Sequence, residues 1–208
     1  MAMSRKKEVK LKKMLIVIWA LFIIVLGLFG FFAYQKREVI EDDLIVTTRF
    51  SYQTNANPDV NALVITYLSA YASCDQETLR SCVTDPTKFN DMSTIQSQSM
   101  IINSYSNINC YTVKGLSDEA VICYAVANLS IYNVEVKPID MLGPYYIVMK
   151  DGQYKIENGE LSDNVKKYMA KVNRDDDIQE LYQMVKEDQE EKMEEDEAFK
   201  NFINNLGN

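Results

Sequence analysis

Tyrosine and cysteine are the side chains in this sequence most open to a chemical role, because histidine is absent altogether. Its absence removes the commonest general base, the serine triad and most zinc sites. A carboxylate paired with a tyrosine still suffices to move a proton. The acids, however, fall at turns, at helix ends and in the C-terminal run, and none lies between Val121 and Val134, where a strand-borne pocket base is expected. No catalytic residue is therefore assigned, and the chain reads as a non-enzyme. No glycine-rich phosphate loop and no metal-ligand spacing occurs, so neither a metal nor a cofactor is expected.

Of the 13 tyrosines, Tyr67, Tyr71, Tyr105, Tyr111, Tyr124 and Tyr146 fall where helices and sheet should meet. One reading is an aromatic pocket whose hydroxyls orient a small apolar ligand. The blander one is that they fill the core, since strands favour tyrosine on their own account. The cysteines are Cys74, Cys82, Cys110 and Cys123. If Lys114 pairs with Glu119 across a hairpin, Cys110 falls opposite Cys123, while Cys74 and Cys82 flank the turn between two helices. Two disulfides and four buried thiols are both compatible with that placement.

The elements that must carry these residues follow from periodicity. Val60, Leu63, Val64, Tyr67, Leu68 and Tyr71 recur at three and four, which predicts a helix over Asp59 to Ser73 with Asn57 as cap and Pro58 in its first turn. A second helix is predicted from Gln76 to Val83, capped by Asp75, and a third from Thr94 to Tyr105. Ile108 to Lys114 and Glu119 to Glu135 alternate and are rich in Val, Ile, Tyr and Cys, which predicts a hairpin closed by residues 115–118. Val136 to Gly143, holding Pro138 and Gly143, reads as a connection. Tyr145 to Met149 and Gln153 to Ile156 then form a second hairpin around Asp151 and Gly152, an Asp-Gly turn. Helix resumes at Leu161 to Val172, and a charged helical run extends from Asp175 to Leu206. Helices followed by antiparallel strands indicate an α+β domain.

Ahead of that domain, Met14 to Tyr34 carries no charged side chain and at helical rise covers about 31 Å, the thickness of a hydrocarbon core. No small-x-small cleavage pattern follows it, so it reads as a transmembrane helix and not as a removed leader. Arg5, Lys6, Lys7, Lys10, Lys12 and Lys13 precede it against Glu8 alone, which keeps the N-terminus in the cytoplasm and places the C-terminal domain outside the cell. The net charge is −8; the first 34 residues hold six basic side chains and one acidic one, so the remainder carries −13. Such a surface repels nucleic acid. The expected organisation is a basic tail (1–13), a membrane helix (14–34), a stalk (35–57), a globular domain (58–160) and an acidic helical extension (161–208).

The segments YLSAYASCDQETLRSCV, SYSNINCYTVKGLSDEAVICYAVANLSIYNVEV and MLGPYYIVMKDGQYKI together resemble the membrane-anchored nuclear-transport-factor-2-like proteins of Gram-positive bacteria. The resemblance covers about residues 57 to 206 and implies a cone-shaped fold with a pocket between helices and a concave sheet. Its motifs are structural, and fold does not choose a function. The expectation is a single-pass, extracytoplasmic, non-catalytic binding or assembly module at the cell membrane. Alternatives are a small-ligand sensor or carrier with an aromatic pocket, a scaffold subunit of a secretion or conjugation apparatus, and an enzyme of the cyclase or isomerase type. The partners implied are the membrane through residues 14–34 and a protein or a second copy, the latter engaged by Phe199, Phe202, Ile203 and Leu206 on the tail.

Overall fold

A computed structural model describes residues 50–206. The predicted span 14–34, its flanks and most of the predicted stalk lie outside the described residues. Among the described residues, no helix is long and apolar enough to cross a membrane. Residues 50–199 belong to one compact body; residues 200–206 group with a separate unit.

The body opens with Phe50 and a two-residue strand β1 (Gln53–Thr54), so the predicted stalk ends sooner than its polar composition suggests. Helix α1 (Pro58–Ala72) starts where Asn57 accepts from the Asp59 and Val60 amides at 3.1 and 3.2 Å, with Pro58 in its first turn. Helix α2 (Gln76–Cys82) is capped by Asp75, which accepts from the Thr78 amide at 3.1 Å. A 3₁₀ turn (Pro86–Phe89) leads to α3 (Ser93–Ser99). The third helix is therefore shorter than expected. Strand β2 (Ile102–Lys114) takes over its last residues, so Ile102 and Tyr105 sit on the sheet and not on a helical stripe. Serine and asparagine, weak inside helices, fill this stretch, and pairing with a neighbouring strand satisfies their backbone instead.

Strands β3 (Ala120–Ile131), β4 (Ile139–Lys150) and β5 (Gln153–Ile156) complete a five-stranded sheet of order β1-β2-β3-β4-β5, antiparallel throughout. The chain is thus α+β. The β2–β3 register differs from the expected one. Lys114 pairs with Val121, because the hairpin closes at Gly115, whose amide donates to the Ala120 carbonyl at 2.8 Å. A Cβ on Gly115 would lie 2.7 Å from the Ala120 Cβ, so glycine is what permits that closure. Cys110 consequently pairs with Ala125 and Cys123 with Thr112.

The segment read as a connection, 136–143, is strand from Ile139 onward. Gly143 and Pro144 misled the reading: they form a bulge within β4, where the pairing with β3 shifts between Cys123 and Ala125. Gly143 has φ +106°, and a Cβ there would approach the Tyr145 amide nitrogen at 2.8 Å and the Cys123 carbonyl at 2.9 Å. The β4–β5 turn follows the Asp-Gly expectation, with φ 53° at Asp151 and 77° at Gly152.

Two cores result, one on each face of the sheet. The inner core packs Val60, Val64 and Leu68 of α1, Leu79 of α2 and Ile95 of α3 onto Cys110, Cys123, Ala125 and Ile147. The outer core packs Val172 of α4 (Asp163–Val172) and Ile178 and Leu181 of α5 (Asp176–Glu195) onto Val113, Ile122, Tyr124 and Tyr146. Strand β3 is covered on both sides, which explains its near-continuous apolar run. The C-terminal run is two helices and not one: Asp196 ends α5 and accepts from the Ala198 and Phe199 amides at 2.8 and 3.1 Å, opening α6 (Glu197–Leu206).

Candidate functional site

Period-two alternation decides which tyrosines share a face. Tyr111, Tyr124 and Tyr146 belong to the outer core and are not pocket-lining residues on the helix-covered inner face. Tyr111 meets Tyr52 edge-on at 5.0 Å, and Tyr124 is fully buried. On the inner face the structure brings together Tyr67 and Tyr71 of α1, Tyr105 of β2 and a residue the sequence reading passed over, Tyr145 of β4. Tyr67 is the hub: its ring lies 6.0 Å from Tyr71, 5.7 Å from Tyr145 and 6.4 Å from Phe89.

The floor beneath them is small. Tyr145 pairs with Cys123 and Tyr105 with Leu129; between those levels β3 offers Ala125 and Ala127, with Cys110 beside Ala125. These three are buried, whereas the four tyrosines above them are half-buried, so the phenols form the wall that solvent meets. The Tyr71 hydroxyl donates to Gln98 Oε1, itself on α3 and buried. The hydroxyls of Tyr67, Tyr105 and Tyr145 have no hydrogen-bond partner among the described residues.

Asp140 pairs with Ala127 and by alternation shares the inner face with Leu142. Its carboxylate accepts from the Met141 amide at 2.9 Å and from Gln189 of α5, but among the described residues no lysine or arginine pairs with it. Desolvation pushes its carboxyl up to about 6, against which those hydrogen bonds act weakly. This residue corrects the sequence reading: a strand-borne carboxylate exists, on the segment taken for a connection. Ile139, Asp140, Met141 and Leu142 show no apolar-polar alternation, and Pro138 and Gly143 flank them, so the sequence carried little signal of a strand here.

The same desolvation raises the phenols. Tyr71 is pushed up to about 12, and Tyr67, Tyr105 and Tyr145 stand well above the ordinary value, with mutual repulsion between their charged forms adding to burial. All four are neutral at any physiological pH. Asp140 likewise contributes to the rise at Tyr105, so carboxylate and phenol sense each other across β3.

All four cysteines are free thiols. Cys110 and Cys123 do not face each other; they are diagonal neighbours on the inner face, and the Cys123 thiol, raised by its hydrogen bond to Cys110 and by burial, stays protonated. The Cys74 sulfur lies 3.0 Å from the Ser99 hydroxyl and Cys82 is buried in the inner core.

Ile178, Leu181 and Val185 are buried, and Phe199 is 1% exposed. Phe202 and Ile203 are half-buried and Leu206 is the last described residue. No protein family, curated protein or solved structure matches the chain.

Proposed function

We propose that the chain is a membrane-anchored, extracytoplasmic binding module that holds a small ligand on the inner face of its sheet, without transforming it. One observation carries this reading. Tyr67, Tyr71, Tyr105, Tyr145 and Asp140 are crowded enough to be desolvated, yet each keeps accessible surface. Three hydroxyls with no hydrogen-bond partner among the described residues offer bonds to a guest, as the few polar groups of a ligand site do. The order of elements, three helices ahead of strands β2–β5, is the ground for kinship with the nuclear-transport-factor-2-like domains; the apolar run 14–34 and its basic flank support the anchor. The assembly reading is weakened, because α5 and Phe199 direct their apolar side chains into buried positions.

The test is a thermal-shift screen of the full chain in maltoside micelles against cationic, anionic and neutral small molecules. Compounds that raise Tm should lose that effect in Tyr67→Ala and Tyr145→Ala and keep it in Tyr111→Phe. Hits that respond only to the outer-face change would refute an inner-face site.

A second reading, acid-base catalysis, is favoured by Asp140, whose carboxyl near 6 suits proton transfer at neutral pH. Turnover of any screened compound that vanishes in Asp140→Asn would establish it in place of binding alone.

A further inference from the structure

Resting on that inner-face reading, we propose that the tyrosine cluster is an aromatic cage, bounded on one side by the Asp140 carboxylate, that takes a small organic ammonium cation. The walls are chemically one-sided. Tyr67, Tyr71, Tyr105 and Tyr145 contribute aromatic rings and neutral phenols, Phe89 meets Tyr67, and Asp140 adds a carboxylate on the same face. A ring face attracts a cation electrostatically and does nothing comparable for an anion. An anionic guest would also meet a carboxylate that no lysine or arginine among the described residues offsets.

Asp140 is what distinguishes the cage from an ordinary aromatic core. A half-buried carboxylate normally has a cationic partner or several amide donors. Here it has the adjacent Met141 amide and Gln189. Asp140 and the rings lie on the same face, with Ala127 beside Asp140 and Leu142 between it and Tyr145 along β4. Tyr105 makes no ring contact with the other tyrosines among the described residues, yet its hydroxyl interacts electrostatically with Tyr71 and Asp140. A guest beside Tyr105 and Asp140 would touch a ring on β2 and the carboxylate on β4 together. The −13 charge of residues 35–208 adds long-range attraction for such a guest.

The experiment compares choline with 3,3-dimethyl-1-butanol, its neutral isostere, by calorimetric titration of the full chain in maltoside micelles, whose headgroups carry no cation. Choline should bind at least about tenfold more tightly than the isostere, the size of effect a desolvated ring-cation contact supplies. Asp140→Asn and Tyr105→Leu should each weaken choline about tenfold, whereas Tyr105→Phe, which keeps the ring, should stay within about threefold. Equal affinity for choline and the isostere would overturn the cage while leaving the inner-face binding reading intact. Binding of neither, together with no Tm shift from any compound of the screen that depends on Tyr67 and Tyr145, would overturn both. Choline binding that survives Asp140→Asn and Tyr105→Leu unchanged would place the cation elsewhere and also defeat the proposal.

Discussion

At the scale of single residues, a desolvated carboxylate and an unpartnered buried hydroxyl give opposite predictions from those of ordinary core positions. Asp140 is raised above the usual carboxylate value, so the folded state holds its proton more tightly than the unfolded chain does. Its contribution to stability is therefore present at low pH and is lost as pH rises from about 4 through about 6, amounting to at most about 3 kcal/mol. Asp140→Asn should accordingly raise the urea midpoint at pH 7.5 and leave it nearly unchanged at pH 4. A lower midpoint at pH 7.5 would mean that the ionised carboxylate is held by donors stronger than Met141 and Gln189. Tyr124 is fully buried with a hydroxyl that bonds to nothing among the described residues. Tyr124→Phe should thus stabilise the fold by about 1 kcal/mol, and, lying on the outer face, should not alter inner-face binding. Equilibrium denaturation of the variant decides the first point and titration of a hit compound the second.

At the scale of elements, α5 does more than cover the outer face. Beyond the end of β5, the segment of β4 near Ile139 has no neighbouring strand on that side, and α5 supplies the missing bonds: Asp188 accepts from the Ile139 amide at 2.7 Å and Gln189 donates to the Ile139 carbonyl at 3.0 Å. Asp196 extends the same device, accepting from the Glu135 and Val136 amides at 2.8 and 3.2 Å with one oxygen while capping α6 with the other. Side-chain bonds of this kind close an edge that would otherwise invite another strand. Asp188→Ala should therefore accelerate amide exchange at Ile139 and promote self-association, read by hydrogen exchange and light scattering. Asp196 is held below the usual carboxylate range by those backbone donors. The stability it contributes exists at neutral pH and disappears as pH falls through that lowered value, so Asp196→Ala should lower Tm at pH 7 and flatten the loss of Tm on acidification.

At the scale of the whole molecule, the prediction concerns topology, which rests on residues 1–37. If the basic flank holds the short tail inside, as proposed, protease added to intact cells should cleave in the segment after Lys36 and release the body while a tag placed before Met14 stays protected. Degradation of that tag from outside would reverse the orientation. Chain entry at Phe50 is fixed by contacts of the outer layer: its amide donates to Asp175 at 2.9 Å, its ring meets Tyr168 edge-on at 5.7 Å, and the Lys171 ammonium lies 5.5 Å above it. Those contacts tie the beginning of the body to the loop before α5, so the described end of the predicted stalk is part of the fold.

What the sequence determined by itself was whatever depends on near neighbours. The Asn57 and Asp75 caps, the first-turn Pro58, the Asp151-Gly152 turn and the amphipathic stripe of α1 follow from bonds and spacings spanning a few residues, and all are present. The α+β class followed from the order of those elements. Only the tertiary structure decided the rest, since it depends on partners far along the chain. A closure at Gly115 and Ala120 moved Cys110 from Cys123 to Ala125. A bulge at Gly143 and Pro144 turned a supposed loop into a strand carrying Asp140. Alternation on a sheet then divided the tyrosines between two faces, putting Tyr67, Tyr71, Tyr105 and Tyr145 together and Tyr111, Tyr124 and Tyr146 apart from them. A pleated strand sends each neighbour to the opposite side, so a site on a sheet is legible only once register and bulges are known.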